Sequence, residues 1–541
     1  MSIISFFREK LINGSPIHSV AGAALVVSVM GILSRLLGLF RDRILAAKFG
    51  AGDELDVYYA AFRMPDLIYN LLVVGALSAA FIPVFTGLVT KEKEKEAWKL
   101  TSSLMTFQVI SIVFISILFS IFAPQVMKII TPGFSGEKLD EVVRFTRIMF
   151  LSPVFLGVSA IFGGVLVSFK RFLVYSIAPI MYNIGIIIGA LLFVDRWGTI
   201  GLAWGVILGA VLHMLIQYPA VKMSGFRYIL NPRKFLKDRN LNKVFRLMVP
   251  RSLAVGVTQI NLLVITIFAS TLASGSLAIF NFANNIQSVP LGLFGISFSM
   301  AAFPILSASV ASGDRKKFVH VFSKTFRRVL FFVIPASVFI FMLRAEIVRI
   351  VFGAGEFDWE DTEATLWVLG FLSISLFAQS LIPLLARSFY ALENTKIPFY
   401  IALFSEAVNI LCVVLLIKKF EVMGLALAFS ISTIVNMGLL FYFLRRFFGG
   451  LDDKKIIDSV SKIILGSIFS GMMIYVTRHF LGNFIDLNTF MEVFSQFSIS
   501  VVVGSLSFIA ACYWLRIKEF HDFKSSILVK IFGFDSEDNL S

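Results

Sequence analysis

Apolar runs long enough to cross a bilayer recur along the chain from Val20 to Leu515, separated by short polar breaks. A spanning helix needs about 20 largely apolar residues. Fourteen runs qualify, near 20–47, 58–89, 103–130, 142–168, 173–194, 199–221, 245–272, 277–310, 320–343, 364–391, 397–417, 422–444, 456–481 and 491–515; they are called spans 1 to 14 below. Membrane barrels read as alternating strands of about 10 residues. These runs are longer and do not alternate, so helices are the spanning structure that fits. The pattern predicts an all-α polytopic membrane protein of about fourteen transmembrane helices.

Laying the second half of the chain on the first gives a weak repeat with an offset of about 220 residues. Phe81-Ile82-Pro83-Val84-Phe85 in span 2 matches Phe303-Pro304-Ile305-Leu306 in span 8. Pro132-Gly133-Phe134 after span 3 matches Phe352-Gly353-Ala354-Gly355 after span 9. Asn183 of span 5 matches Asn409 of span 11, and Gly201-Leu202-Ala203 matches Gly424-Leu425-Ala426 at the starts of spans 6 and 12. An even number of spans separates the copies, which makes the repeat parallel, about an axis near the membrane normal. The expected organisation is an N-lobe over 1–230, a C-lobe over 231–450, and two additional helices with a tail over 451–541. Two facing six-helix lobes imply a central site reached by alternating access, and a two-lobed membrane scaffold without transport is the alternative.

Composition agrees with lipid as the solvent: of 541 residues 57% are hydrophobic and 15% charged, and the mean hydropathy is +0.86. The net charge of +15 raises the question of nucleic acid, but the basic residues are distributed by topology. Lys91, Lys93, Lys95 and Lys99 follow span 2, Lys170 and Arg171 follow span 4, and Arg227, Arg233, Lys234, Lys237 and Arg239 follow span 6. Arg315, Lys316 and Lys317 follow span 8, Arg445, Arg446, Lys454 and Lys455 follow span 12, and Lys518, Lys524 and Lys530 lie in the tail. The alternate loops are acidic or sparsely charged. The positive-inside rule then puts both termini in the cytoplasm and removes nucleic acid as a partner. The first run is too long, and too charged in its middle, for a cleaved signal peptide. Cys412 and Cys512 lie far apart in apolar spans and suggest neither a disulfide nor a metal site.

Span 1 carries the chemistry. Ser34, Gly38, Gly31, Arg41, Asp42 and Arg35 share one helical arc of about 120°, with Leu33, Leu36, Leu37, Phe40 and Ile44 on the remainder. Arg43 points the other way, near enough to the end to snorkel. Each charge at the bilayer centre costs about 2.5–3.5 kcal/mol, so Arg35, Arg41 and Asp42 in lipid would together cost up to about 10 kcal/mol. The arc must face water or partner groups. Two arginines against one aspartate suit an anion, and the planar guanidinium fork suits phosphate, with a diphosphate as the natural candidate. An Arg–Asp pair that only ties span 1 to its neighbours is the other reading of these residues.

Further polar candidates are Arg63, Asp66 and Asn70 in span 2, Arg251 and Gln259 in span 7, Asn281, Asn284, Asn285 and Gln287 in span 8, and Glu406 with Asn409 in span 11. Arg251 follows Pro250 and suits surface snorkelling as well as a cavity. His213 reads as a packed or interfacial histidine. Pro65, Pro83, Pro153, Pro290, Pro304, Pro335 and Pro383 favour kinks. No Walker loop, HExxH, CxxC or GxSxG motif occurs. The expectation is a transporter rather than an enzyme, without a cofactor, driven by a membrane potential, an ion gradient or substrate supply.

Ser34-Arg35-Leu36-Leu37-Gly38-Leu39-Phe40-Arg41-Asp42, then Phe49-Gly50-Ala51-Gly52, Asp56, and Ala61-Phe62-Arg63-Met64-Pro65-Asp66, resemble the signature of the MurJ (MviN) family. Gly75-Ala76-Leu77-Ser78-Ala79-Ala80-Phe81-Ile82-Pro83, Pro290-Leu291-Gly292-Leu293-Phe294-Gly295 and Ala386-Arg387-Ser388-Phe389-Tyr390-Ala391-Leu392 extend it. The resemblance implies the fourteen-helix fold of the MOP superfamily and a lipid II flippase of the bacterial cytoplasmic (inner) membrane, serving peptidoglycan synthesis, cell-wall biogenesis and cell shape. It implies as substrate a polyprenyl-diphosphate-linked sugar-peptide lipid carried from the cytoplasmic to the outer leaflet, with membrane lipids and cell-wall synthesis proteins as further partners. It also implies a groove for the polyprenyl tail near spans 13 and 14. Ser34, Arg35, Arg41, Asp42 and Asp56 match the family's polar positions and Arg63 a basic one. Two places depart from it: Tyr69 stands where the family commonly has arginine, and Asn284-Asn285 where it has Asp-Arg, with Ser288 in place of a nearby glutamate. The expected substrate-binding set is therefore Ser34, Arg35, Arg41, Asp42, Asp56, Arg63, Asn285 and Arg251, the last as a replacement for the missing arginine. A flippase for another lipid-linked oligosaccharide is the alternative substrate class.

Overall fold

The structure, a computed structural model, describes residues 20–74, 81–229, 241, 244, 248, 256, 259–484, 486–487 and 489–532. Among these no residue is in a strand, and the described part of every expected span is mostly helical. Among the described residues, eight helices are long and apolar enough to cross a membrane by length and composition, and a ninth candidate is a pair bent by 44°. Three of the eight hold two expected spans or a span with its preceding amphipathic turn, because the connections are tight. Lys396–Phe448 runs for 53 residues, about 80 Å at helical rise, against a hydrocarbon core of about 30 Å.

That helix is two spans joined at one residue: Glu421 has φ 49° and ψ −130°. The chain folds back there, because Cβ on Gly424 would sit 2.9 Å from the Leu416 carbonyl oxygen. The matched position in the first half behaves alike. Gly198 turns at φ +68°, and Cβ on Gly201 would lie 2.5 Å from the Phe193 carbonyl carbon. Both glycines that the repeat aligns therefore sit at helix–helix turns too close for a side chain.

The repeat also shows in the backbone. Span 2 widens to a π-helix over Asn70–Val74 and span 8 over Leu291–Ile296, an offset of 221 residues at their first positions. A third π-helical stretch, Gly189–Phe193, lies in span 5. The 44° bend, between Trp359–Ile374 and Leu376–Ala391, falls at Ser375 rather than at a proline; Pro383 continues inside the second helix. Ser375 instead bonds sideways, its hydroxyl 2.9 Å from that of Ser430. A polar side chain that bonds across to a neighbour stabilises a break without a proline.

Two compact units make up the chain: Met1–Ala278 with Ala354–Phe357, and Ile279–Gly353 with Asp358–Ser541. The first has an aromatic core in which Phe81, Phe85, Trp98, Phe162 and Leu166 are buried, Trp98 stacking on Phe169 at 5.9 Å. In the second, the last two spans are fastened to span 9 by buried charge. Glu519, at the start of the tail helix Lys518–Phe532, pairs with Arg327 of Arg315–Met342 and accepts from Ser459 of Asp453–Gly482 at 2.7 Å. Glu346, 3% exposed, pairs with Arg478.

Candidate functional site

Span 1 is one helix, Val20–Phe49, and its two faces separate as the helical wheel requires. Leu33, Leu36 and Phe40 are exposed. On the polar arc, Asp42 is 1% exposed and Arg41 closes on it, Nε donating to Oδ1 at 2.9 Å and Nη2 at 2.7 Å. The third guanidinium nitrogen, Nη1, donates to Asn183 Oδ1 at 3.0 Å. Asn183 belongs to Phe172–Ile188, and its amide reaches back to the Ser34 carbonyl at 3.4 Å and the Pro179 carbonyl at 3.1 Å. Gly38 lies beside it, with Asn183 Oδ1 3.9 Å from where a Cβ would be, an ordinary contact distance. Ser34, Gly38, Arg41 and Asp42 thus meet around one asparagine, and Arg35 is half-buried on the same helix. The arginine fork is held by an aspartate and an amide, which fixes its plane.

Span 2 places Arg63 in Arg63–Tyr69. It is 8% exposed, and its Nε donates to Thr266 Oγ1 at 2.7 Å, so the basic residue of span 2 is tied to span 7. Asp66 follows one turn later on the same helix, and Tyr69 is half-buried.

Asp56 has a different kind of environment. It is 1% exposed and accepts four hydrogen bonds: from the backbone N–H groups of Gly275 (2.9 Å), Leu277 (3.0 Å) and Ala278 (3.1 Å), and from Lys138 Nζ (3.1 Å). Three of these belong to the first turn of the helix Ser276–Pro290 and the residue before it, so Asp56 caps the start of span 8 from outside. Gly275 is required here, since its φ is +82° and a Cβ would lie 1.6 Å from the Ala51 oxygen. Lys138 also meets Asp53 at 2.5 Å, which accepts from Ser274 at 2.5 Å. Burial raises the Asp53 carboxyl, but the hydrogen bonds from Lys138 and Ser274 outweigh it and hold the group below the ordinary carboxylate range. At Asp56 burial wins and the carboxyl is raised despite Lys138 and the backbone amides.

The same end of this unit carries two matched crossings. The Gly133 N–H donates to Ser270 Oγ at 3.4 Å near the end of span 7, and the Glu356 N–H donates to the Ala47 carbonyl at 2.9 Å near the end of span 1. These are the two loops that the repeat aligns.

Span 8 carries amides. Gln287, 1% exposed, donates to Asn284 Oδ1 at 3.2 Å and to Gln379 Oε1 at 3.3 Å, and Gln379 donates to Ser375 at 3.0 Å. Asn285 is half-buried, and its carbonyl accepts from Ser288 at 2.8 Å. Glu406 and Asn409 pair with each other at 3.2 Å. His213 is packed, as its sequence context indicates: Ser159 Oγ lies 2.6 Å from its Nδ1, and Gln217 joins Ser159 at 2.6 Å. Arg251, Pro250 and the 75–80 segment lie outside the described residues. Among the described residues no group of three His, Cys, Asp or Glu side chains is placed to hold a metal. Sequence reasoning missed Asn183, Thr266 and Lys138 as partners. Asn183 had a signal in the repeat, whereas Lys138 had only its place in an otherwise acidic loop.

A sequence profile described as Lipid II flippase MurJ matches residues 45–495. The chain belongs to the MurJ lipid II flippase family. Among MurJ relatives, it is 29% identical over 492 residues to a probable lipid II flippase MurJ of Buchnera aphidicola, covering 89% of this chain and 95% of the relative. It is also 29% identical to the lipid II flippase MurJ of Burkholderia cenocepacia, covering 78% and 83% respectively. Among solved structures, a lipid II flippase MurJ in an inward closed conformation matches with a TM-score of 0.74 at 26% identity, over 91% of this chain and 99% of that one. An inward-facing MATE-family multidrug resistance transporter of the MOP superfamily matches with a TM-score of 0.67 at 15% identity, over 80% and 99%, and shares the fold. The MurJ fold and a multi-pass membrane location therefore hold for this chain.

Proposed function

We propose that this protein moves lipid II from the cytoplasmic to the outer leaflet of the bacterial inner membrane by alternating access, with both termini in the cytoplasm. Membership of the MurJ family over residues 45–495 is the observation that carries this reading. The span 1 site supports it chemically. Arg41 and Arg35 supply guanidinium for the diphosphate, Asp42 and Asn183 set the plane of Arg41, and Ser34 supplies a hydroxyl on the same arc. Arg63 adds charge from span 2, and Asn285 and Arg251 complete the proposed set. Translocation needs no covalent step and no cofactor; a membrane potential or ion gradient would supply the drive.

Asp56 has a distinct role in this scheme. All four of its partners are structural groups, three of them backbone amides at the start of span 8. It anchors the start of span 8 within its own unit rather than serving as a ligand contact. The test is depletion of the resident lipid II flippase in a host carrying this gene. The wild-type chain restores growth, and Arg41→Ala, expressed to the same level, does not. Growth with Arg41→Ala would exclude span 1 as the diphosphate site. The neutral Asn284-Asn285 pair favours one second reading, a flippase for a different lipid-linked oligosaccharide. Failure of well-expressed wild type to restore growth would select it.

A further inference from the structure

The ends of spans 13 and 14 nearest their connection line an open cleft of about 310 Å³ in the second unit, apart from the span 1 site. Arg478, His479, Asn483 and Gln496 line it with Tyr475, and no carboxylate is among its described lining residues. Glu346 is committed to Arg478 Nε and is 3% exposed. Arg478 Nη1 donates to the Met342 carbonyl at 3.3 Å, yet the side chain stays 37% exposed, leaving Nη2 for a ligand.

Gln496 is the decisive neighbour. It is 1% exposed, and its Nε2 donates to the Arg478 carbonyl at 3.0 Å, which fixes the amide orientation. Its Oε1 is buried and has no partner. A buried carbonyl oxygen beside a cleft calls for a donor from what fills the cleft. The flanking aromatic side chains are exposed: Phe480 and Phe484, with rings 5.0 Å apart, and Phe490 and Phe494, stacked at 5.9 Å. Such belts sit at the level of lipid headgroups.

We propose that this cleft binds the headgroup of a phospholipid that has both a phosphate and an N–H or O–H donor. The phosphate lies against Arg478, His479 and Asn483, and the donor lies against Gln496 Oε1. The proposed topology puts the site in the outer leaflet. Phosphoethanolamine and phosphoglycerol headgroups have both features, whereas phosphocholine has the phosphate without the donor.

The test uses the full chain, stripped of lipid in detergent and then offered phosphatidylethanolamine, phosphatidylglycerol or phosphatidylcholine, with bound lipid counted by native mass spectrometry. Wild type retains the first two over the third, and Gln496→Met weakens that retention about tenfold, the effect of one lost hydrogen bond. Asn483→Ala, which removes no buried group, weakens it less and serves if Gln496→Met does not fold. Equal retention of phosphatidylcholine, or unchanged retention in folded variants, overturns the proposal. Displacement of the lipid by millimolar glycerophosphate identifies a soluble phosphate site instead and equally overturns the lipid assignment.

Discussion

Spans 2 and 8 are two copies of one backbone plan carrying different chemistry. Each contains a π-helical stretch, and at the offset of 221 that relates these stretches Arg63 aligns with Asn284 and Asp66 with Gln287. In span 2 the charged residue is buried and bonded to Thr266 at 2.7 Å. In span 8 the equivalent positions are amides bonded to one another and to Gln379. A π-helical turn widens the helix and redirects the residues before it, so the geometry that presents a polar group is duplicated while the group itself is free to change. Symmetry of the scaffold does not require symmetry of charge. An amide network is cheap to bury when complete, whereas a buried guanidinium is retained where its charge is used.

Four variants test that contrast. Arg63→Met should have the largest effect, abolishing growth rescue and lowering stability by about 1.5–3 kcal/mol through loss of a charged hydrogen bond; thermal melting in detergent and the depletion assay read the two separately. Gln287→Leu should leave growth rescue intact and destabilise by about 1–3 kcal/mol, because Gln379 loses one of its partners and keeps only Ser375. The double variant Gln287→Leu with Gln379→Leu should recover part of that loss in a double-mutant cycle. Asn284→Asp combined with Asn285→Arg, which restores the pair common in the family, should retain rescue; its loss would show that the neutral span 8 is itself required.

Acidification should have the smallest effect, at Asp53. Its carboxyl is held below the ordinary range, so it contributes when ionised, above its unfolded value, and the contribution is lost only as pH falls through the lowered folded value. Melting curves of Asp53→Asn and wild type should therefore coincide at strongly acidic pH and separate slightly near neutrality.

The helical fold and the polar arc of span 1 were legible in the chain because both follow from period and hydropathy. Ser34, Gly38 and Arg41 fall on one arc at 100° per residue, and they do meet one partner. The identity of that partner was not legible, since Asn183 is 142 residues from Arg41 and nothing in local pattern pairs them. The π-helical turns were equally hidden: one extra residue per turn leaves an apolar segment apolar. Prolines did not mark every bend: the 44° break falls at Ser375, where the Ser430 hydroxyl donates to the Phe371 carbonyl at 2.8 Å in place of a helix N–H. Asp56 stood out as a polar position of the family signature, but its role as a cap depends on backbone groups 219 to 222 residues away. Backbone groups carry no sequence signal.

The single-residue turn at Glu421 also bears on how the protein can be handled. With the chain reversing at one residue of positive φ and Gly424 pressed on Leu416, spans 11 and 12 leave no loop for a protease to enter or an epitope to occupy. A tag placed there should abolish expression, whereas one placed at Gly449–Gly450, where two successive positive φ angles of 68° and 149° already mark a true connection, should be tolerated. Reporter fusions that map topology therefore have a usable position after span 12 and none at the turn between spans 11 and 12.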